Sequence, residues 1–127
     1  MFKAIYLTKS DQFRAELRDL DDTELEANTP EADTTVEIDY STINYKDGLA
    51  LTNKSPVIRR WPMVPGIDCA GTVLESSGPV WTTGDVVVLT GWGIGETAWG
   101  GLAQFGRYKA DWLVRVPAPL TTRDTMA

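Results

Sequence analysis

Ile43-Asn44-Tyr45-Lys46-Asp47 and Pro65-Gly66-Ile67-Asp68-Cys69-Ala70-Gly71 are the two short words on which the reading of this chain turns. The first follows an alternating run, Val36, Ile38, Tyr40 and Thr42, so Asn44 falls at a strand end or in the first turn after it. The second opens with a proline-glycine turn and enters the apolar strand Ile67 to Leu74, interrupted at Gly71, where a neighbouring backbone can come close. Polar side chains at two strand ends read as the two lips of a cleft.

Working outward, Phe2 to Thr8 and Phe13 to Leu20 alternate apolar with polar residues around Lys9-Ser10-Asp11 and predict a β-hairpin. Nine acids meet only Arg14 and Arg18 between Asp11 and Asp33, so this stretch reads as a solvated acidic face with a flexible turn near Thr29-Pro30. After the strand Thr34 to Thr42, Tyr45 to Leu51 predicts a turn or two of helix capped by Asn44. Thr52 to Pro65 holds Pro56, Pro62 and Pro65 and predicts a long loop carrying Lys54, Arg59 and Arg60. Further strands are expected at Val86 to Leu89, buried on both faces, at Leu102 to Lys109 and at Trp112 to Val116. Many short strands with almost no helical periodicity predict an all-β barrel or sandwich. The end of the chain, from Thr121 to Ala127, reads as the start of a helix with threonine as N-cap and Asp124 in its first turn.

Composition narrows the function. A chain of 127 residues supports one ordinary domain. Its formal charge of −6 disfavours general nucleic-acid binding, although Lys46 to Arg60 carries four basic residues and one acid. No apolar run is long enough to span a membrane, one cysteine excludes an intrachain disulfide, and no signal-peptide pattern is present; the expectation is a cytoplasmic protein. The absence of histidine removes the commonest zinc ligand and the commonest acid/base at neutral pH. Gly93-x-Gly95-x-x-Ala98 matches a dinucleotide fingerprint in spacing, but Trp99-Gly100-Gly101 follows where that motif requires a helix, so it reads as a glycine-rich loop at the mouth of a cleft.

Three motifs in order, Ile-Asn-Tyr-Lys-Asp (43–47), Pro-Met-Val-Pro-Gly-Ile-Asp-Cys-Ala-Gly-Thr-Val (62–73) and Leu-Thr-Gly-Trp-Gly-Ile-Gly-Glu…Trp-Gly-Gly-Leu-Ala (89–103), resemble the N-terminal part of the medium-chain dehydrogenase/reductase superfamily. Within it the likeness is to the zinc-independent quinone oxidoreductase and acrylyl-CoA reductase branch. The resemblance implies a mainly all-β, GroES-like, partly open barrel with short helices and without the Rossmann domain: residues 1–119 as the substrate-side domain, and 120–127 as the start of the helix leading into an absent nucleotide-binding domain. It implies NADPH, bound chiefly by that absent domain, and an enoyl-CoA or quinone as small-molecule substrate. A homodimer for the full-length enzyme is compatible with it. In the zinc-dependent relatives a cysteine stands near the place of Asn44 and a histidine near that of Ile67, so no metal is expected here. A chain ending at Ala127 is expected to be a partial one, inactive alone.

The candidate site residues follow from the motifs and the resemblance together. Tyr45 is the candidate donor of a proton or a hydrogen bond to a developing enolate, histidine being absent. Asn44 has three readings: partner of the nicotinamide ribose, partner of the substrate carbonyl, or helix cap. Asp47 is read as a carboxylate that orients its neighbours, with an arginine as one partner in view. Lys46, Arg59 and Arg60 are read either as cations that reach the phosphates of NADPH or coenzyme A or as solvated loop charges. Trp92 and Trp99 either wall a substrate channel or pack the barrel end. Asp68 is expected to anchor local structure, and Cys69 to be a buried, inert thiol. The alternatives to an acrylyl-CoA reductase are a quinone oxidoreductase and, from a different class, a stand-alone GroES-like binding or assembly module, which leaves the 44–47 word unexplained.

Overall fold

A computed structural model describes residues 1–127. Strands β1 (Phe2–Lys9) and β2 (Phe13–Leu20) form the expected hairpin, in unbroken antiparallel register from Phe2 opposite Leu20 to Lys9 opposite Phe13. Strands β3 (Thr34–Ser41), β4 (Asp68–Ser76), β5 (Val86–Thr90), β6 (Phe105–Tyr108) and β7 (Val114–Arg115) make an antiparallel sheet in the order β6-β3-β4-β5-β7. Its outer strands β6 and β7 do not pair with each other, so the barrel is open.

Two apolar cores result. Phe2, Leu7, Leu20, Met63, Val64 and Trp99 pack beneath the hairpin, and Val36, Val73, Val87, Leu89, Ile94 and Tyr108 pack against the larger sheet. The run 102–108 links them. Ile5 N–H donates to the Leu102 carbonyl at 2.9 Å and Gln104 N–H to that of Lys3, after which Phe105–Tyr108 pairs with β3. The single strand expected from Leu102 to Lys109 is thus a segment that changes sheets, which alternation alone does not reveal.

Gly71 opposes Ile38, and a Cβ there would overlap the Glu37 carbonyl oxygen, so the close approach expected at this glycine is present. One step on, the register slips between Ile38 and Tyr40, leaving Asp39 as an extra residue. Its Oδ2 accepts the Thr122 hydroxyl at 3.1 Å from helix α3 (Thr122–Met126), which contacts β3, β4 and β5. Thr121 and Asp124 form the expected cap of α3.

Four expectations need correction. The acidic stretch contains a helix, α1 (Asp22–Asn28), started by a reciprocal Asp21–Glu24 capping box and anchored by buried Leu25. Thr29, expected in a loop with little to bury, is only 3% exposed and donates its hydroxyl to the Leu25 carbonyl. Strand β5 is not buried on both faces: Val87 and Leu89 point into the core of the larger sheet and are buried, whereas Val86 and Val88 point to the opposite face and are half-covered. The expected strand from Trp112 to Val116 is instead a 3-10 turn at Ala110–Trp112 followed by β7.

Candidate active site

Helix α2 (Tyr45–Thr52) begins where the sequence placed it, with Asn44 in extended conformation at the N-cap. Asp47 closes the cap from the third helical position: its Oδ2 accepts the Asn44 backbone N–H at 2.8 Å. The other carboxylate oxygen reaches out of the helix and accepts the Ile67 N–H at 3.1 Å. Asp47 is 1% exposed, and no arginine pairs with it; two backbone donors satisfy the carboxylate instead. A short polar side chain therefore fastens the 44–47 word to the 65–71 word.

Asn44 is held from the opposite side. Its Nδ2 donates to Thr42 Oγ1 at 2.7 Å and to Asp68 Oδ2 at 3.1 Å, with Asp47 Oδ2 at 3.4 Å, and the Thr42 hydroxyl also donates to Asp68 Oδ2 at 3.1 Å. An amide nitrogen has two protons, and these oxygens take both. Asn44 is consequently built into the strand-to-helix corner, and Asp68 anchors local structure as expected. Thr42 escaped the sequence reading because a threonine closing an alternating strand carries no signal beyond its β-propensity.

What the corner presents to solvent is Tyr45, 85% exposed, with Ile43, 70% exposed, beside it in the chain. Lys46 Nζ lies 3.2 Å from Glu96 Oε1, and Glu96 also accepts the Arg59 N–H through its carbonyl, so the first turn of α2, the long loop and the glycine-rich loop meet. That loop contains no helix, in keeping with rejection of the dinucleotide fingerprint. Trp92, at φ 58°, is 61% exposed and stacks on Trp112 with ring centroids 6.2 Å apart. Glu96 too was missed: an acid inside a glycine-rich turn has no periodic context.

Other candidates are placed elsewhere. Trp99 packs into the core: it is 3% exposed, donates its indole N–H to the Pro62 carbonyl at 2.9 Å and meets Tyr6 edge to face. Arg60 turns away from the corner and donates to the Asn28 carbonyl at the end of α1. Arg59 is exposed and makes no side-chain hydrogen bond or ion pair. Cys69 is buried; desolvation pushes its thiol up to about 12, and it lies 3.6 Å from the Tyr108 hydroxyl. No three His, Cys, Asp or Glu side chains come together to hold a metal ion, and no helix is long and apolar enough to cross a membrane.

The arrangement can present a phenol and flat apolar surface from a rigid polar corner. Its residues fit the nicotinamide end of a dinucleotide better than the phosphate end: Lys46 is already paired, Arg60 is engaged, and no helix follows the glycine-rich loop.

Comparison with known proteins agrees with this geometry. Residues 30–118 match the alcohol dehydrogenase GroES-like domain. The chain is 45% identical to the acrylyl-CoA reductase AcuI of Ruegeria pomeroyi over 130 aligned positions, covering 100% of this chain and 38% of that protein. It is 52% identical to the probable acrylyl-CoA reductase AcuI of Escherichia coli K12 over 101 residues, 80% of this chain and 31% of that one. The structure of E. coli K-12 YhdH with bound NADPH superposes with a TM-score of 0.89 at 48% identity, over 97% of this chain and 37% of that one. The chain thus spans about a third of the length of the curated relatives it matches. With its open antiparallel barrel, its Asn44-to-Asp47 corner and these likenesses, the chain belongs to the alcohol dehydrogenase GroES-like domain family, within the medium-chain dehydrogenase/reductase superfamily.

Proposed function

We propose that this chain is the substrate-side domain of an NADPH-dependent, zinc-independent reductase that saturates the activated C=C bond of acryloyl-CoA. The observation that carries the reading is the exposed Tyr45 hydroxyl on a corner locked by Asn44, Asp47 and Asp68, in a chain 45% identical along its whole length to an acrylyl-CoA reductase. NADPH, when bound, supplies the hydride that adds to the β-carbon of the enoyl thioester. Tyr45 donates a hydrogen bond to the thioester oxygen, where negative charge develops as the β-carbon is reduced, and so favours the enolate, whose α-carbon takes its proton from solvent. Asn44 and Asp47 act through Tyr45 as positioning residues: the Asn44 amide nitrogen and both Asp47 carboxylate oxygens are spent on the corner and fix the phenol, while the half-buried Asn44 keeps its Oδ1 as an acceptor.

In this reading residues 1–119 form the substrate side and residues 120–127 begin the helix leading into the nucleotide-binding part. Asn44 and Ile67, neither of them a zinc ligand, support a metal-free enzyme, which this reading places in the cytoplasm. Assays of the full-length parent with NADPH should give turnover of acryloyl-CoA well above that of small quinones, with no stoichiometric zinc. Turnover of quinones alone would move the enzyme to the quinone oxidoreductase reading, and a zinc whose removal abolishes activity would end the metal-free one.

A further inference from the structure

Two adjoining hollows lie away from the Asn44 corner, with cavity volumes of about 280 and 310 Å³, sharing Lys9 and Trp61. Lys9, Arg18 and Lys54 line them, and neither lining contains an aspartate or glutamate, although the chain as a whole carries a charge of −6. None of the three cations is in an ion pair. The aromatic walls are Trp61, half-buried and braced edge to face by Phe13, and Tyr6, with the Arg18 guanidinium 4.4 Å from its ring centroid. Unpaired cations beside a fixed indole are the chemistry that holds a phosphorylated adenosine, by charge-assisted bonds to phosphate and stacking on the base.

The groove is also at the right remove from the reacting end. Helix α2 runs from Tyr45 at the corner to Thr52, and Asn53, left-handed at φ 54°, turns the chain so that Lys54 N–H bonds the Leu49 carbonyl. At about 1.5 Å per residue, α2 spans roughly 10 Å from Tyr45 to Thr52, and Lys54 follows at its far end. A pantetheine arm of about a dozen bonds spans roughly 15 Å when extended, at the ~3.5 Å that three chain bonds cover.

We infer that the Lys9–Lys54–Trp61 groove holds the 3′-phospho-ADP end of the acyl-CoA substrate, while its thioester lies at Tyr45. The inference rests on the acryloyl-CoA reading. NADPH offers the same phosphorylated adenosine, so the test separates the two sources. In the full-length parent, the paired substitution Lys9→Glu and Lys54→Glu should raise KM for acryloyl-CoA roughly 10- to 100-fold, the effect of losing charge-assisted bonds and reversing their sign. KM for NADPH and kcat/KM for acryloyl-pantetheine, the same thioester without the nucleotide, should stay within twofold, and Lys9→Arg with Lys54→Arg should behave as wild type. Both lysines are exposed, without side-chain hydrogen bonds, so the variants should fold, as urea unfolding will check.

An unchanged KM for acryloyl-CoA, an equal loss on both thioesters, or a rise confined to NADPH would overturn the groove assignment and leave the reductase reading standing. Wild-type enzyme that reduces neither thioester would overturn both.

Discussion

Asp47 Oδ1 accepts the backbone N–H of Ile67 at 3.1 Å, a bond that crosses from the first turn of α2 to the residue just before β4 and joins the two words that carry the family's pattern. Asp47→Ala strips partners from two backbone N–H groups at once, those of Ile67 and Asn44. The expected loss is about 2–4 kcal/mol, at the ~1–3 kcal/mol that one unsatisfied buried donor costs. Urea unfolding should show a lower midpoint with an unchanged slope. A midpoint equal to wild type would mean that the bond holds nothing.

Tyr45 separates chemistry from stability. Exposed to 85% and without a hydrogen-bond partner in this chain, its hydroxyl should matter little to folding, and Tyr45→Phe should leave stability within about 0.5 kcal/mol. In the full-length parent the same change should lower acryloyl-CoA turnover by roughly 10²-fold, in the range lost with one hydrogen-bond donor to a developing oxyanion. Unimpaired turnover would remove the hydroxyl from the mechanism.

Gly71 tests the β3–β4 contact. A methyl group there would drive into the Glu37 carbonyl oxygen, which belongs to a paired strand and cannot move aside without breaking the ladder. Gly71→Ala should therefore cost about 3 kcal/mol or more, an overpacking penalty at the upper end of the usual range. A melting temperature within one degree of wild type would contradict the register described.

Cys69 gives a pH dependence. Burial pushes its thiol up to about 12 from an ordinary value near 9, and burial likewise holds the Tyr108 hydroxyl well above its usual range. Because the folded state favours the neutral thiol, its contribution is fully present below about pH 9 and is lost as pH rises toward about 12. Stability should fall across that alkaline window, less steeply in Cys69→Ala, and a thiol reagent at pH 8 should label the native protein far more slowly than the unfolded one. Rapid native labelling would refute the buried placement.

Much of the site's local structure was legible because it is written in short-range chemistry. Proline and glycine at 65–66 set a turn, Asn44 and Asp47 stand at N-cap spacing, and alternation from Val36 to Thr42 makes a strand. Helix α1 was equally local and was hidden by charge: the Asp21-to-Glu24 cap is a start signal, but the acids around it resemble a solvated loop. Trp99 was open between two readings for a different reason. A tryptophan in a glycine-rich stretch has the same sequence context whether it walls a channel or fills a core, and only its distance to Tyr6 and Pro62 separates the two.

By itself the sequence determined the strands and turns, the missing histidine and hence the unavailability of histidine chemistry, and the corner of polar residues at the end of β3. Tertiary structure alone decided which of those residues face outward. The Asn44 amide nitrogen and the Asp47 carboxylate are taken up by bonds that reach Asp68 and Ile67, 24 and 20 residues away, Arg60 is drawn to the end of α1, and Tyr45 is left free. The reason is physical: buried polar groups must find partners wherever the fold brings them, so a side chain's availability depends on contacts that no local pattern encodes.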